Sequence, residues 1–215
     1  MYQANAKRAQ LQQSYANYTE YLLGLEMIAE IQDFTPVALP RIVQLTNKSN
    51  QFNLTTRRYT QSEMEQVAES PNYIRLYGRL RDKFGDNGIV SVVIGEISGD
   101  ALHIDLWLMS CRVLKRDMEL AMLDELVEQC RTRGIRTIYG YYYQTAKNAW
   151  CGNYSAPLVS PKPNNSKTAT AHGCCRLPPM KNATTSFKSK RERKPRKNDT
   201  RRSYGKTQRD LSGRV

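Results

Sequence analysis

The chain has 215 residues, of which 40% are hydrophobic, and its formal net charge at pH 7 is +13. This length fits one domain of ordinary size with appendages, and the hydrophobic share permits one sizeable core but not a chain that is core throughout. No apolar run approaches the roughly 18 residues of a membrane-spanning helix, and the first residues lack the layout of a secretory signal, so we expect a cytoplasmic protein.

The first part of the chain is predicted to be a helix followed by a short strand. Residues 1–25 carry an apolar stripe at helical spacing, formed by Leu11, Tyr15, Tyr18, Leu22 and Leu25. Residues 27–31 alternate enough for a strand. Pro36 and Pro40 then bracket a connector in which no regular helix is expected.

A second unit begins at residues 41–45 and continues to Thr60. Residues 62–68 are predicted to form a short helix that is capped by Thr60 or Ser62, because a hydroxyl at this position accepts a hydrogen bond from a free backbone N–H of the first turn. Two weaker strand signals follow at 73–77 and 79–83, separated by Gly78.

The strongest β signal in the chain lies at 89–109. Its two runs, 89–94 and 101–109, flank a Ser-Gly-Asp turn and predict a hairpin. Residues 118–131 predict a helix that ends before Gly134, and 135–143 predict a further strand. The order of elements therefore indicates a mixed α/β fold whose strands are partly antiparallel.

The net charge lies entirely in the last third of the chain. Residues 149–215 hold 16 Lys and Arg residues against 3 Asp and Glu residues, so residues 1–148 are electrically balanced. Pro, Asn, Ser, Thr, Lys and Arg dominate from 161 onward. Such a composition cannot bury enough apolar surface to offset its ordering entropy, which predicts a disordered basic tail over 149–215.

Four blocks of the sequence carry a resemblance to a known family. They are Asn-Lys-Ser-Asn-Gln-Phe-Asn-Leu-Thr-Thr-Arg-Arg-Tyr at 47–59, Phe-Gly-Asp-Asn-Gly at 84–88, Leu-Met-Ser-Cys-Arg-Val-Leu at 108–114 and Thr-Ala-Lys-Asn at 145–148. In this order they resemble the C-terminal half of FkbH-like proteins, which belong to subfamily IIIC of the HAD superfamily.

The resemblance implies a domain division and a function. Residues 1–40 would be the C-terminal remnant of a HAD domain with its linker, and 41–148 an incomplete GNAT-like acyltransferase domain, a mixed sheet with flanking helices. Family members take a glyceryl unit from 1,3-bisphosphoglycerate and load it on an acyl carrier protein for polyketide biosynthesis. The resemblance therefore implies an acyl carrier protein as the partner.

Two departures of the chain from the family pattern concern its chemistry. It contains no Asp-x-Asp motif, so phosphoryl transfer by a HAD aspartate is not expected of it. GNAT folds bind the CoA pyrophosphate with Arg/Gln-x-x-Gly-x-Gly/Ala at a helix start, whereas Lys115 and Asp117 stand here where small residues are expected. We therefore assign no resident cofactor, and the resemblance implies the phosphopantetheine of the carrier protein as the visiting group.

A third departure begins after Asn148, where the family continues with a short helix of the type Met-Val-Arg-x-Phe-Tyr. A back-translation of 149–160 with chosen codons, read from the last base of the first codon, gives Met-Val-Arg-Lys-Leu-Phe-Ser-Thr-Phe-Gly-Phe, close to that segment. Codon degeneracy leaves several of these residues open, but every permitted codon gives the valine and the leucine. We therefore predict that residues from about 149 onward are out-of-frame translation. The domain would then lack its last helix and strand, and strand 135–143 would keep an unpaired edge.

Cys111 is the first candidate for chemistry, because it lies inside a matching block and its basic neighbours Arg112, Lys115 and Arg116 would favour the thiolate. The resemblance implies a transient thioester acceptor, and the alternative is a buried cysteine at a strand end. His103 is a second candidate, either as a base together with Asp105 or as a structural residue.

Further residues are candidates for binding the substrate or the carrier protein. Polar side chains in the first block suit a pantetheine arm or glyceryl hydroxyls, or else satisfy backbone groups, and its two arginines would steer an acidic carrier or form a solvated pair. The complete set is Asn50, Gln51, Asn53, Thr55, Arg57, Arg58, Arg112, Lys115, Arg116, Lys147 and Asn148.

No metal site is assigned, because the spacing of Cys151, His172, Cys174 and Cys175 fits no standard zinc pattern. An alternative function is a small α/β binding module whose basic tail contacts nucleic acid or acidic partners by counterion release. For the leading interpretation, nucleic acid and membrane are not expected as partners.

The reading-frame hypothesis predicts a single-base gap near codon 148. Sequencing of the gene, aligned with homologous DNA, checks it, and an uninterrupted frame through this codon would rule it out.

Overall fold

The computed structural model describes residues 2–49, 51–149 and 170–176. None of the helices in these ranges is long and apolar enough to cross a membrane. A 3-10 turn, Cys111–Val113, follows β5. The elements in chain order are α1 (Tyr2–Gln13), α2 (Tyr18–Gly24), β1 (Ile28–Asp33), α3 (Leu39–Lys48), β2 (Phe52–Asn53), α4 (Gln61–Glu69), β3 (Tyr73–Asp82), β4 (Gly85–Ser98), β5 (Ala101–Met109), α5 (Met118–Thr132), β6 (Thr137–Tyr143) and β7 (Thr170–Arg176).

The strands form one mixed sheet in the order β1-β3-β4-β5-β6-β7, and β2 pairs with the end of β5. Only the pairing of β5 with β6 is parallel; the other pairs are antiparallel. The predicted hairpin is formed by β4 and β5. The predicted fold class, a mixed α/β sheet with flanking helices, is confirmed.

Helices cover both faces of the sheet. On one face, α2 and α5 contribute Leu22 and Leu126 to the larger core. On the other face, Ile42 of α3 and Met64 of α4 belong to a second core. Thr60 is the cap of α4, in a reciprocal capping box with Glu63, which selects the first of the two predicted caps.

A bulge in β5 changes which residues face each core. The register of β4 and β5 shifts between Ile94 and Gly95, so that Asp105 has no residue opposite it. Ile104 therefore belongs to the core under α5, whereas Leu106 belongs to the core under α3. This change of face places Asp105 beside the segment that leads into α4.

The N-terminal segment differs from its predicted organisation. The predicted helix 1–25 is divided into α1 and α2, because Asn17 caps a new helix by accepting the Glu20 N–H at 2.8 Å. β1 pairs with β3 over six residue pairs, and Leu25 is fully buried in the larger core. Residues 18–33, predicted to be HAD remnant and linker, are therefore part of the same sheet and core as residues 41–148.

Pro40 and Gly78 were predicted to interrupt regular structure, but the structure places them inside a helix and a strand. α3 begins at Leu39 with Pro40 in its first turn, where the missing N–H of proline leaves no intrahelical hydrogen bond unmade. β3 continues through Gly78, and its register with β4 shifts directly after this residue. A side chain at Gly78 would collide with Met118 and Met122 of α5, so the glycine marks a close helix–sheet approach.

The sequence predicts no strand after 143, but β7 pairs antiparallel with β6 over seven residue pairs. The edge of β6 that was expected to remain unpaired is therefore covered. The other residues of the predicted tail, 150–169 and 177–215, lie outside the described residues.

A buried ion network joins α1 to the sheet. The Asp82 carboxylate, whose side chain has no exposed surface, accepts hydrogen bonds from Arg8 Nε at 2.8 Å and from Arg116 Nη1 at 3.3 Å. The Phe84 amide N–H donates to it at 2.9 Å. Burial opposes the charged form of Asp82, but these donors hold its pKa below the ordinary value.

We expect Asp82→Asn to lower the free energy of unfolding at neutral pH by about 3 kcal/mol, because two buried guanidinium groups lose their counter-ion. The matched control is Asp86→Asn. Its pair with Arg79 is half exposed, so its removal should cost at most about 1 kcal/mol. Urea denaturation measures both, and equal losses would contradict the network's role.

The same network predicts a pH dependence. Since the folded pKa of Asp82 lies below its ordinary value of 3.8, its contribution is present above that pH and is lost as the pH falls through the folded pKa. The stability difference between the wild type and Asp82→Asn should therefore shrink below about pH 4. A difference that stays constant down to about pH 2 would contradict this.

Candidate functional site

The candidate site lies where β5 and β6 separate. The two strands pair only from Ala101–Thr137 to His103–Tyr139, although both continue well beyond these residues. Three pairs in parallel register leave the remaining edge of each strand without its neighbour. The backbone groups of this gap need other partners.

The chain fills the gap with its own residues 51–59, which we call the strap. Phe52 and Asn53 pair with Met109 and Leu108 of β5. The backbone of Leu54 spans the opening, because its N–H donates to Trp107 O at 3.0 Å while its carbonyl accepts the Tyr143 N–H at 2.8 Å. The strap therefore acts as a short inserted strand between β5 and β6.

Asn148 fastens one end of the strap. It is fully buried, and its side-chain amide donates to Asn53 O at 2.9 Å and to Tyr143 O at 3.0 Å. Its side-chain oxygen accepts the Thr145 N–H at 2.6 Å. One amide thus joins the strap, the end of β6 and the turn at 145–148.

Asp105 fastens the other end. Its carboxylate accepts hydrogen bonds from Arg57 Nη1 at 2.5 and 2.6 Å and from the Tyr59 hydroxyl, and its backbone carbonyl accepts from Thr55 Oγ1 at 2.7 Å. Burial, together with the hydrogen bond to Asp105, holds the pKa of Tyr59 far above its usual value. Tyr59 is therefore a neutral donor.

Beside the strap lies a cavity of about 730 Å³, which we call the basic cavity. Cys111 lies in its wall, and its thiol is exposed at the start of the 3-10 turn that follows β5. The charged and polar side chains around it come from α3, the strap, the 3-10 turn and the turn at 145–148. They include Arg41, Lys48, Gln51, Arg112 and Lys147.

Two of these basic residues, Arg41 and Lys48, were not among the candidates from the sequence. Both are on α3, which was predicted only as the opening of a unit. The available signal was position, because Lys48 lies inside the first resemblance block and Arg41 lies two helical turns before it.

Three predicted binding residues are used to hold the strap. Asn53 Oδ1 accepts the Thr56 N–H at 2.9 Å, and Thr55 and Asn148 make the backbone contacts described above. The polar residues of the first block were predicted either to bind a ligand or to satisfy backbone groups, and the observed contacts of Asn53 and Thr55 are hydrogen bonds to backbone groups. Arg58 donates to Thr46 O and lines a smaller adjoining cavity of about 310 Å³. Asn50 lies outside the described residues.

His103 and Asp105 do not form the predicted pair. The His103 Nδ1 atom and the Tyr141 hydroxyl lie 2.6 Å apart, and the imidazole stacks on Tyr139 with ring centroids 4.8 Å apart. The Asp105 carboxylate contacts Arg57 and Tyr59 instead. The bulge at Asp105 explains the difference, because it interrupts the alternation on which the prediction relied.

Lys115 and Arg116 are not in the wall of the basic cavity. Arg116 belongs to the buried network around Asp82, where burial lowers its pKa. Lys115 and Asp117 adopt φ values of 64° and 57°, the left-handed conformation that glycine adopts most readily, at the two positions where the GNAT pattern has small residues. The Glu119 carboxyl accepts the Lys115 N–H at 3.3 Å, so this backbone donor of the loop is already used within the chain.

Comparison with known proteins bears on the fold. No family model and no curated protein sequence matches the chain. A GNAT-family acetyltransferase from Streptococcus pneumoniae is similar in structure, with a TM-score of 0.53 at 16% identity, over 70% of this chain and 99% of that one. The GNAT domain of S. lividans PAT gives 0.52 at 13% identity, over 68% and 89% of the two chains.

Rv2747 from Mycobacterium tuberculosis, solved in complex with CoA and NLQ, gives 0.50 at 9% identity, over 68% of this chain and 98% of that one. At these identities the likeness concerns the fold alone. The chain therefore has a GNAT-like fold. Within the described residues, no group of three or more His, Cys, Asp or Glu side chains could hold a metal ion.

We expect Asn148→Ala to lower the free energy of unfolding by about 2 kcal/mol, because it leaves buried backbone groups of the strap and β6 without partners. Hydrogen exchange at the Leu54 and Tyr143 amides should also accelerate. Asn47→Ala is the control: Asn47 is exposed, and its side chain donates to Val43 O within its own helix, so its loss should stay within about 0.5 kcal/mol. Unchanged exchange in Asn148→Ala would contradict its fastening role.

Proposed function

We propose that this chain is a thiol-dependent acyl-transfer module, in which Cys111 accepts an acyl group and passes it to the pantetheine thiol of an acyl carrier protein. The observation that carries the proposal is the composition of the basic cavity. Gln51, Cys111 and Lys147 belong to three separate resemblance blocks, and they meet in one wall. The GNAT-like fold is compatible with this role.

The chemistry requires an exposed thiol, a positive environment and room for an acyl group. The Cys111 sulfur attacks the acyl carbon of an acyl phosphate; a C–S bond forms, the C–O bond to phosphate breaks, and phosphate leaves with the electron pair. Positive side chains beside the thiol stabilise the negative charge of the leaving phosphate. Arg112 and Lys147 are placed for this in the cavity wall.

The second step returns the thiol. The sulfur of the pantetheine arm attacks the thioester carbon, the bond to Cys111 breaks, and the proton of the incoming thiol ends on Cys111. No redox partner or metal is needed for either step. Arg58 is exposed on the strap and lines the smaller adjoining cavity, where it would attract the acidic surface of a carrier protein.

The finer part of the proposal follows the FkbH-like resemblance. It names a glyceryl group derived from 1,3-bisphosphoglycerate as the acyl unit and polyketide-type biosynthesis as its destination. Since this chain has no Asp-x-Asp motif, the acyl phosphate has to reach Cys111 already formed.

The test is covalent labelling of the full chain by acetyl phosphate, followed by intact-protein mass spectrometry. We expect one acetyl group, removable by hydroxylamine and absent from Cys111→Ser. Cys130→Ala is the matched control, because burial raises the pKa of the Cys130 thiol to about 12 and keeps it unreactive at neutral pH. The control should label as the wild type does.

Transfer is tested by adding a pantetheine-bearing acyl carrier protein to the acetylated chain. Movement of the acetyl mass to the carrier supports the proposal. Labelling that persists in Cys111→Ser, or a stable adduct that no carrier thiol removes, would refute it.

A further inference from the structure

The gap between β5 and β6 is closed to a second molecule. Leu54 already uses the Trp107 carbonyl and the Tyr143 amide, which are the groups that an inserted chain would need. The buried Asn148 and the Asp105 cluster hold the strap at both ends. A long thiol-bearing arm that reaches Cys111 therefore has to arrive from the basic cavity.

The lining of the basic cavity is rich in cationic residues. Four of its lining residues are cationic: Arg41 and Lys48 on α3, Arg112 in the 3-10 turn and Lys147 after β6. Among the described residues that line it, none is an aspartate or a glutamate. Such a concave surface carries a positive potential and concentrates anions.

Arg41 and Lys48 lie two turns apart on the same face of α3, and both line the basic cavity together with Cys111. An arginine fork and a lysine ammonium on one rigid helix form a suitable pair of donors for a phosphate group, which offers several strong acceptor oxygens. A volume of about 730 Å³ accommodates both a phosphate and the chain that links it to a reacting sulfur or carbonyl carbon.

We infer that Arg41 and Lys48 form a phosphate-binding site, and that it holds the phosphate of the molecule that reacts with Cys111. The inference rests on the proposed thiol-dependent transfer and adds the recognition element that this transfer needs. The phosphate belongs either to a phosphopantetheine arm or to an acyl phosphate, and both place a phosphate and a reactive centre in one ligand.

The first arm of the test uses disulfide probes and requires no acyl transfer. The 2-pyridyl disulfides of phosphopantetheine and of pantetheine differ only in the phosphate. When the Cys111 thiolate attacks the pantetheine-side sulfur, a mixed disulfide forms and pyridine-2-thione leaves, and its absorbance gives the rate. Subtracting the rate of Cys111→Ser removes the contribution of other cysteines.

We expect the phosphorylated probe to react at least about tenfold faster with the wild type. In the double variant Arg41→Gln, Lys48→Met, the two probes should react at about the same rate. The matched control is Lys7→Met, Lys83→Met, which also removes two positive charges, but at exposed positions outside the cavity. It should keep the advantage, and its circular dichroism and melting curve provide the reference for folding.

The second arm measures acetylation of Cys111 by acetyl phosphate in the same variants. If the double variant loses the advantage with the disulfide probe, the phosphate is that of the thiol arm. If it loses only the reaction with acetyl phosphate, the phosphate is that of the acyl donor. Either result supports the site.

The inference is overturned if the double variant, folded like the control, reacts like the wild type in both arms. This failure is distinct from failure of the proposed function. If the phosphorylated probe reacts faster but no acetyl group moves to a carrier protein, the proposed function is wrong and the phosphate site is supported. If transfer to the carrier protein is as fast in the double variant as in the wild type, the phosphate site is wrong and the proposed function is supported.

Discussion

The early separation of β5 and β6 is the constraint on which the rest of the site depends. A parallel pair that ends at His103 and Tyr139 leaves backbone donors and acceptors exposed on two strands that lie in the middle of the sheet. Such groups need partners. The strap supplies them through Leu54, and two side chains distant in sequence, Asp105 and Asn148, hold the strap in register. The opening is therefore a permanent part of the architecture, filled by the chain itself.

The basic cavity follows from that arrangement. Because the strap is held between the strands, the residues at its start, the 3-10 turn after β5 and the turn before Asn148 are brought to one place. Cys111 is exposed there because β5 ends at Met109 and the chain turns at once. The helix α3 forms the remaining wall and presents Arg41 and Lys48 on one face. The exposed thiol, the positive charges around it and the helix that carries two of them are thus brought together by the early separation of β5 and β6.

The sequence predicts those features that local patterning determines, and it fails where distant residues decide. The hairpin of β4 and β5 and the helix α5 have strong periodicity, and both are found. The two strand signals around Gly78 belong to one strand, whose register with β4 shifts directly after the glycine, and the glycine itself lies against two methionines of α5 that are distant in sequence. The assignment of Arg116 to the thiol fails for the same reason, because its partner Asp82 lies 34 residues away. The pairing of His103 with Asp105 fails because a bulge cannot be read from alternation.

Side chains and backbone carry different information about the end of the domain. Asn148 is held by contacts that require an amide at that position, so the chain up to this residue has a sequence fitted to the fold. β7 pairs with β6 through backbone groups, and any extended segment can make such a ladder at a free strand edge. Its pairing is therefore compatible with a segment whose sequence was never selected for this fold.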